Sequence, residues 1–180
     1  MADARTDLEI VGRVVKALTG MGLEPTLVGG MALVLLGSRR VTVDFDFVVA
    51  HPGERVEDLV GCFYDIGFEL ASRVNDVGEV TATIDNRRVA AIRLRLDAPS
   101  SAYFFNHGTG LRIDLLFDFP IPARTLAARA TSTKIRSRVL RIASEADLLH
   151  LKQIARANRS APGDAEDIAF LEARRGRSDR

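Results

Sequence analysis

The chain has 180 residues, of which 47% are hydrophobic and 27% are charged, with a formal net charge of +1. This composition predicts one globular domain with its own hydrophobic core. The single cysteine, Cys62, excludes an internal disulfide framework and a zinc site with several cysteines. The longest apolar run, residues 27–37, is far shorter than the roughly 18 residues of a membrane span. Since the N-terminus does not resemble a signal or transit peptide, we expect a cytoplasmic protein without a membrane partner.

The charges are unevenly distributed along the chain. Residues 1–123 carry 17 acidic and 12 basic side chains, whereas residues 124–180 carry 7 acidic and 13 basic ones. A basic C-terminal part beside an acidic first part suits a polyanionic substrate. A solvated helical surface in an arginine-rich chain accounts for these charges at least as well.

Helices and short strands alternate in the first part of the chain. From hydrophobic periodicity and glycine stops, the predicted elements are helix 7–18, strand 27–28, helix 31–36, strand 41–49 and helix 54–66. Two β-hairpins are predicted next, one with strands 81–84 and 89–96 and one with strands 103–105 and 111–119.

The last part of the chain is predicted to be mainly helical. Its elements are helix 121–130, a possible strand 139–142, a helix from Ser144 to Arg156, and helix 165–175. Ser144 followed by Asp147 is the carboxylate variant of a capping box. The order predicts an α/β (α+β) fold with a small mixed sheet flanked by helices. Residues 1–120 would form the core and residues 121–180 a C-terminal helical extension packed on it, within one compact domain.

Gly29 and Gly30 lie between the first predicted strand and the short helix that follows it. Glycine lets the backbone approach a ligand closely, and a helix start offers free N–H groups to a phosphate. The pair is therefore a candidate phosphate-binding turn. An ordinary tight turn is the more frequent explanation of two such glycines.

Asp44 and Asp46 are two residues apart on the second predicted strand, so their carboxylates should share one face while Val43, Phe45 and Phe47 face the core. Neighbouring carboxylates repel each other, and their hard oxygen atoms suit magnesium that carries nucleotide phosphates. The alternative is an ordinary strand with a solvated polar face.

Asp114 lies between apolar residues on a later predicted strand and repeats this pattern. If the two strands are neighbours, Asp114 joins Asp44 and Asp46 to hold two metal ions, one activating an attacking hydroxyl and one stabilising a pyrophosphate leaving group. Asp118 lies on the same predicted face, so a solvated sheet edge is the competing interpretation.

Two glycines, a short helix, Asp-x-Asp and a later apolar-Asp-apolar strand together resemble the nucleotidyltransferase superfamily of polymerase-beta type, over residues 8–119. Residues 40–46 and the C-terminal part resemble more closely the AbiEii-like toxins of type IV toxin–antitoxin systems. This resemblance implies the nucleotidyltransferase fold, an NTP as substrate, and magnesium or manganese as cofactor.

The resemblance also implies the site residues. The metal ligands would be Asp44, Asp46 and Asp114, joined in catalysis by Lys152 and Asp167. The nucleotide-binding residues would be Gly29, Gly30, Ser38, Arg39, Arg40 and Thr42.

Several of these residues have a simpler explanation. Arg39, Arg40 and Thr42 equally suit a solvated loop. Lys152 is expected to reach the phosphates, although a surface lysine with a buried stem is the alternative. Asp164 and Asp167 both suit the start of a helix. We assign Asp167 as the partner of Lys152 and Asp164 as the helix cap.

Three functions remain open at this stage. The first is transfer of a nucleoside monophosphate to RNA, for example the 3′ end of a tRNA, by a toxin that a cognate antitoxin protein neutralises. The second is modification of a small hydroxylated molecule, as in aminoglycoside nucleotidyltransferases. The third is a non-catalytic nucleotide-binding module. The chain is shorter than many AbiEii-like toxins, which leaves the acceptor undecided.

Overall fold

The computed structural model describes residues 4–158 and 162–178, with side chains described for residues 7–158 and 163–177. This part of the chain contains seven α-helices and eight strands. The helices are α1 Ala4–Gly20, α2 Gly29–Leu35, α3 Val56–Ile66, α4 Arg87–Asp97, α5 Ala123–Arg129, α6 Glu145–Asn158 and α7 Pro162–Ser178. The strands are β1 Thr26–Val28, β2 Phe45–Val49, β3 Glu69–Val74, β4 Val80–Ile84, β5 Ser101–Phe105, β6 Arg112–Phe117, β7 Thr131–Ile135 and β8 Arg138–Ile142. A 3₁₀ turn, Gly53–Arg55, precedes α3.

The eight strands form one mixed sheet in the order β4-β3-β5-β6-β2-β1-β8-β7. The pairs β2–β6 and β1–β8 are parallel, and the other pairs are antiparallel. The predicted mixed sheet with flanking helices is therefore confirmed. Beyond residue 120 the chain is not only helical, because β7 and β8 extend the sheet next to β1; the possible strand at 139–142 corresponds to β8.

The core lies between the sheet and the helices. On α1, the buried residues Val11, Val14 and Leu18 follow helical spacing. On α3, the Phe63 ring stacks on that of Phe104 in β5, with ring centroids 3.9 Å apart. This contact packs α3 against the sheet at β5, the strand next to β6.

The second predicted strand is shorter than expected. It begins at Phe45, where pairing with β6 starts, and β1 pairs only with residues 46–48. Residues 41–44 therefore precede the strand. Val41 and Val43 have exposed fractions of 92% and 67%, so the prediction that Val43 faces the core is wrong.

The predicted strand 89–96 is also wrong, because these residues form α4. The Asn86 side chain accepts hydrogen bonds from the backbone N–H groups of Arg88 and Val89 and so caps the helix. The partner of β4 is β3, while the second predicted hairpin is confirmed as β5–β6.

None of the described helices combines the length and the apolar character that crossing a bilayer demands.

Candidate active site

Asp46 and Asp114 lie side by side at the centre of the sheet. They are register partners on the parallel strands β2 and β6, so both carboxylates leave the same face. On either side of Asp46, Phe45 and Phe47 are buried on the opposite face. Asp44 lies just before β2 and is half-buried. The prediction that these two strands are neighbours is therefore correct. Only Asp46 of the Asp-x-Asp pair lies on a strand, because β2 begins at Phe45.

The three carboxylates interact electrostatically. The pKa of Asp46 is raised to about 7, first by burial and then by the negative charges of Asp114 and Asp44. Burial also raises the pKa of Asp114, against the opposing effect of its hydrogen bonds to Arg112. Two raised pKa values at adjacent positions indicate a cluster whose negative charge is incompletely compensated, which is the environment that favours cation binding.

Gly29 brings the backbone against this cluster. It follows β1, whose last residue, Val28, is the register partner of Asp46. At φ +67°, a Cβ atom on Gly29 would lie 2.7 Å from the carboxylate carbon of Asp46 and closer still to its Oδ2. A Cβ atom on Gly30 would lie 2.9 Å from the guanidinium carbon of Arg40. Both glycines therefore make room for charged side chains, and their contact with phosphate stays a prediction.

A buried ion-pair cluster joins α6, α7 and the loop before β2. The Lys152 ammonium, on α6, lies 3.2 Å from Oδ1 of Asp164 and 2.7 Å from Oδ2 of Asp167. The same Asp167 oxygen accepts a hydrogen bond from Nη1 of Arg40 at 2.5 Å. The positive charge of Lys152 lowers the pKa of Asp46, so this ammonium acts electrostatically on the acidic cluster through Asp46.

This cluster decides two of the alternatives that the sequence left open. Lys152 is only 9% exposed, which excludes a surface lysine. Asp164 is 2% exposed and contacts the Lys152 ammonium, so its assignment as only a helix cap is wrong. A buried lysine needs its negative partners, and two acids one helical turn apart on α7 supply them.

Arg112 was missed by the sequence analysis. Its Nε and Nη2 donate to Oδ1 and Oδ2 of Asp114 at 2.7 and 2.6 Å, a bidentate pair that raises the pKa of the guanidinium. The signal was the spacing of two residues, which puts Arg112 and Asp114 on one face of β6.

Asp118, in contrast, lies after β6 and accepts hydrogen bonds from the backbone N–H groups of His51 and Ala123. It ties two loops together and is separate from the acidic cluster.

The remaining predicted nucleotide-binding residues lie in the loop between α2 and β2. The Ser38 hydroxyl accepts a hydrogen bond from the backbone N–H of Arg40 at 3.3 Å. Arg39 is exposed, and Thr42 is half-buried. Arg40 is the residue of this loop that joins the ion-pair cluster. Nucleotide binding by Ser38, Arg39 and Thr42 stays a prediction.

The acidic cluster suits magnesium in its chemistry, because carboxylate oxygens are the hard ligands that this ion prefers. Within residues 7–158 and 163–177, however, no three His, Cys, Asp or Glu side chains form a ready-made metal cage. Both oxygens of Asp114 are hydrogen-bonded to Arg112. The three acids thus suit a divalent cation in their chemistry, while Asp114 is engaged by the guanidinium of Arg112.

Comparison with known proteins gives structural neighbours only. No family model matches the chain, and no curated protein matches its sequence. The fold is similar to the solution structure of the antibiotic-resistance factor ANT(2'')-Ia, with a TM-score of 0.57 and 13% identity over 94% of this chain and 84% of that one. It is similar to the crystal structure of ANT(2'')-Ia in complex with adenylyl-2''-tobramycin, with a TM-score of 0.55 and 14% identity over 97% and 92% of the two chains. JHP933 from Helicobacter pylori gives a TM-score of 0.50 and 17% identity over 95% and 67%.

These likenesses show that the chain has the nucleotidyltransferase fold. The fold implied by the polymerase-beta-type motifs is thus confirmed. The closer resemblance to AbiEii-like toxins stays a prediction. At such low identity the reaction has to be inferred from the site itself.

Proposed function

We propose that this protein is a metal-dependent nucleotidyltransferase that transfers a nucleoside monophosphate from an NTP to an acceptor hydroxyl. The observation that carries the proposal is the pairing of Asp46 with Asp114 on adjacent parallel strands, with Asp44 close enough to raise the pKa of Asp46. Three crowded carboxylates beside a glycine turn are costly in the folded protein unless a cation neutralises them.

The reaction forms a bond between the acceptor oxygen and the α-phosphorus and breaks the bond from the α-phosphorus to the bridging oxygen, so that pyrophosphate leaves. A carboxylate of the cluster accepts the proton of the attacking hydroxyl. Magnesium or manganese held by Asp44, Asp46 and Asp114 would supply charge neutralisation for the triphosphate and activation of the hydroxyl.

Lys152 and Arg40 supply positive charge near the acidic cluster, since the charge of Lys152 lowers the pKa of Asp46. Lys152 is buried, and its ammonium is fixed between Asp164 and Asp167, so it is preorganised to stabilise negative charge that develops on the phosphates. Arg40 shares Asp167 with Lys152. We assign the remaining nucleotide contacts to Gly29, Gly30, Ser38, Arg39 and Thr42.

For the acceptor we favour RNA, such as tRNA, within a type IV toxin–antitoxin system in which a cognate antitoxin protein is the partner. The support is the charge of the C-terminal part, which presents several exposed basic side chains to solvent. These are Arg124, Lys134, Arg136, Arg156, Arg175 and Arg177. Exposed cations of this kind bind a phosphate backbone irrespective of its sequence.

A small hydroxylated molecule of the aminoglycoside class is the second candidate acceptor. The observation in its favour is the fold likeness to ANT(2'')-Ia, whose crystal structure contains adenylyl-2''-tobramycin. Both candidates use the same acidic cluster and differ in the surface that receives the acceptor.

The test is a transfer assay with each α-labelled NTP and magnesium, supplied in parallel with total tRNA or with a set of aminoglycosides. Asp46→Asn is the site variant, and Asp85→Asn is the control, because it makes the same chemical change at an exposed position before α4. Label on tRNA from the wild type and the control alone supports the first candidate. Label on an aminoglycoside supports the second. NTP binding without transfer to any acceptor would contradict the proposal and indicate a non-catalytic module.

A further inference from the structure

Arg112 is held by groups on two strands, β5 and β6, and on one turn. Besides its two hydrogen bonds to Asp114, its Nη1 donates to the backbone carbonyl of Gly78, in the turn between β3 and β4, at 2.5 Å. Its guanidinium carbon lies 4.8 Å from the ring centroid of Tyr103, the register partner of Asp114 on β5. The side chain is only 17% exposed. An arginine with this many contacts is a fixed cation rather than a mobile surface group.

The carboxylate that Arg112 binds, Asp114, is one of the three proposed metal ligands. Both carboxylate oxygens of Asp114 accept hydrogen bonds from the guanidinium. The charge of Arg112 reaches the whole cluster, since it also lowers the pKa of Asp46. A dication bound to Asp114 in this arrangement would face a fixed positive charge across one carboxylate, which is unfavourable in a partly buried site.

We propose that Arg112 is a resident counter-ion of the acidic cluster, which competes with the divalent cation for Asp114 and has to release this carboxylate when the metal binds. The proposal rests on the function proposed above. Two contacts of Arg112 do not involve Asp114, namely those with Gly78 and Tyr103. They retain the guanidinium beside β5 and the β3–β4 turn after release. Because Arg112 acts on the metal only through Asp114, it is a positioning residue.

The first test measures Mn²⁺ binding by calorimetry, without nucleotide, to the wild type and to Arg112→Met. Removal of the competing cation should tighten Mn²⁺ binding at least about tenfold, the equivalent of one charged hydrogen bond. Arg112→Lys keeps the charge and loses the bidentate geometry, so its affinity should lie between the two. Arg129→Met is the matched control, because it removes another bidentate pair, with Asp147, outside the acidic cluster. Its Mn²⁺ affinity should equal that of the wild type.

A second measurement needs no substitution at the site. In the nuclear magnetic resonance spectrum of the wild type, the Arg112 Nε–H should exchange slowly with water while it donates to Asp114. Saturating Mg²⁺ should shift this resonance and accelerate its exchange, and Asp46→Asn should abolish the response. This readout applies even if Arg112→Met does not fold.

The outcomes separate this proposal from the proposed function. Tighter binding by Arg112→Met, or release of the Arg112 Nε–H on adding Mg²⁺, supports the competition. Unchanged or weaker Mn²⁺ binding by a folded Arg112→Met, or an Nε–H that stays protected in the Mg²⁺-saturated protein, overturns it and leaves the proposed function intact. If the wild type binds no Mn²⁺ either with or without NTP, the proposed function fails and this inference fails with it.

Discussion

Replacing Gly29 with alanine tests how the backbone holds the acidic cluster. Two costs are expected. A residue with a Cβ atom is strained at φ +67° by about 1–2 kcal/mol. The new Cβ would also lie 2.7 Å from the carboxylate carbon of Asp46, a separation below 3.0 Å that real Cβ atoms essentially never show. Overpacking of this kind costs about 1–3 kcal/mol more, and it is relieved only if Asp46 moves away from its place opposite Asp114.

Gly22→Ala separates these two costs. Gly22 has φ +73°, and a Cβ atom there would have no neighbour within 4 Å, so this variant carries the backbone strain alone. Urea unfolding should show a loss of about 1–2 kcal/mol for Gly22→Ala and a larger loss for Gly29→Ala. Mn²⁺ binding should weaken only in Gly29→Ala. If both variants lose equal stability and Gly29→Ala binds Mn²⁺ like the wild type, the close approach of Gly29 to Asp46 is refuted.

Three further predictions concern charge and capping. In the metal-free protein the native state keeps the Asp46 proton up to about pH 7, while the unfolded state releases it near about pH 4. The free energy of unfolding should therefore fall as the pH rises through this window, and a wild-type profile as flat as that of Asp46→Asn in urea titrations would disprove it. Lys152→Met leaves Asp164 and Asp167 buried without their ammonium. Urea unfolding should show a loss of about 3 kcal/mol, at the lower end of the usual range because Arg40 still pairs with Asp167. A loss below about 1 kcal/mol would argue against a buried cluster. Asn86→Ala removes the cap of α4 and should cost about 1 kcal/mol while nucleotide transfer stays unchanged, an expectation that a drop in transfer rate would contradict.

The sequence alone was sufficient to predict those elements whose buried residues recur at regular helical or strand spacing. The apolar stripe of α1 and the β5–β6 hairpin could be predicted in this way, and so could the shared face of Asp46 and Asp114. The pattern misled at α4, where Val89, Ile92 and Leu96 are all at least half-exposed although they are apolar. The Asn86 cap was the local signal for a helix there.

Contacts between distant parts of the chain could not be read from spacing. The pairing of Arg40 with Asp167 joins residues 127 positions apart. Lys152 was expected to reach the phosphates, but its burial between two acids of α7 depends on how α6 packs on that helix. The resemblance to nucleotidyltransferases pointed to Lys152 and Asp167, whereas Asp164 and Arg112 required the structure, because an acid at a helix start and an arginine on a strand each have a common surface explanation.

The central claim is that Asp46 and Asp114 act together in metal-dependent nucleotidyl transfer. Its most direct test is the single-turnover rate of α-label transfer, with the best acceptor and saturating magnesium, for the wild type, Asp46→Asn and Asp114→Asn, each shown to be folded. The account predicts that each variant loses activity at least about a thousandfold and that chelation of the metal does the same to the wild type. Transfer at the wild-type rate by either folded variant, or by the wild type in excess chelator, would contradict it.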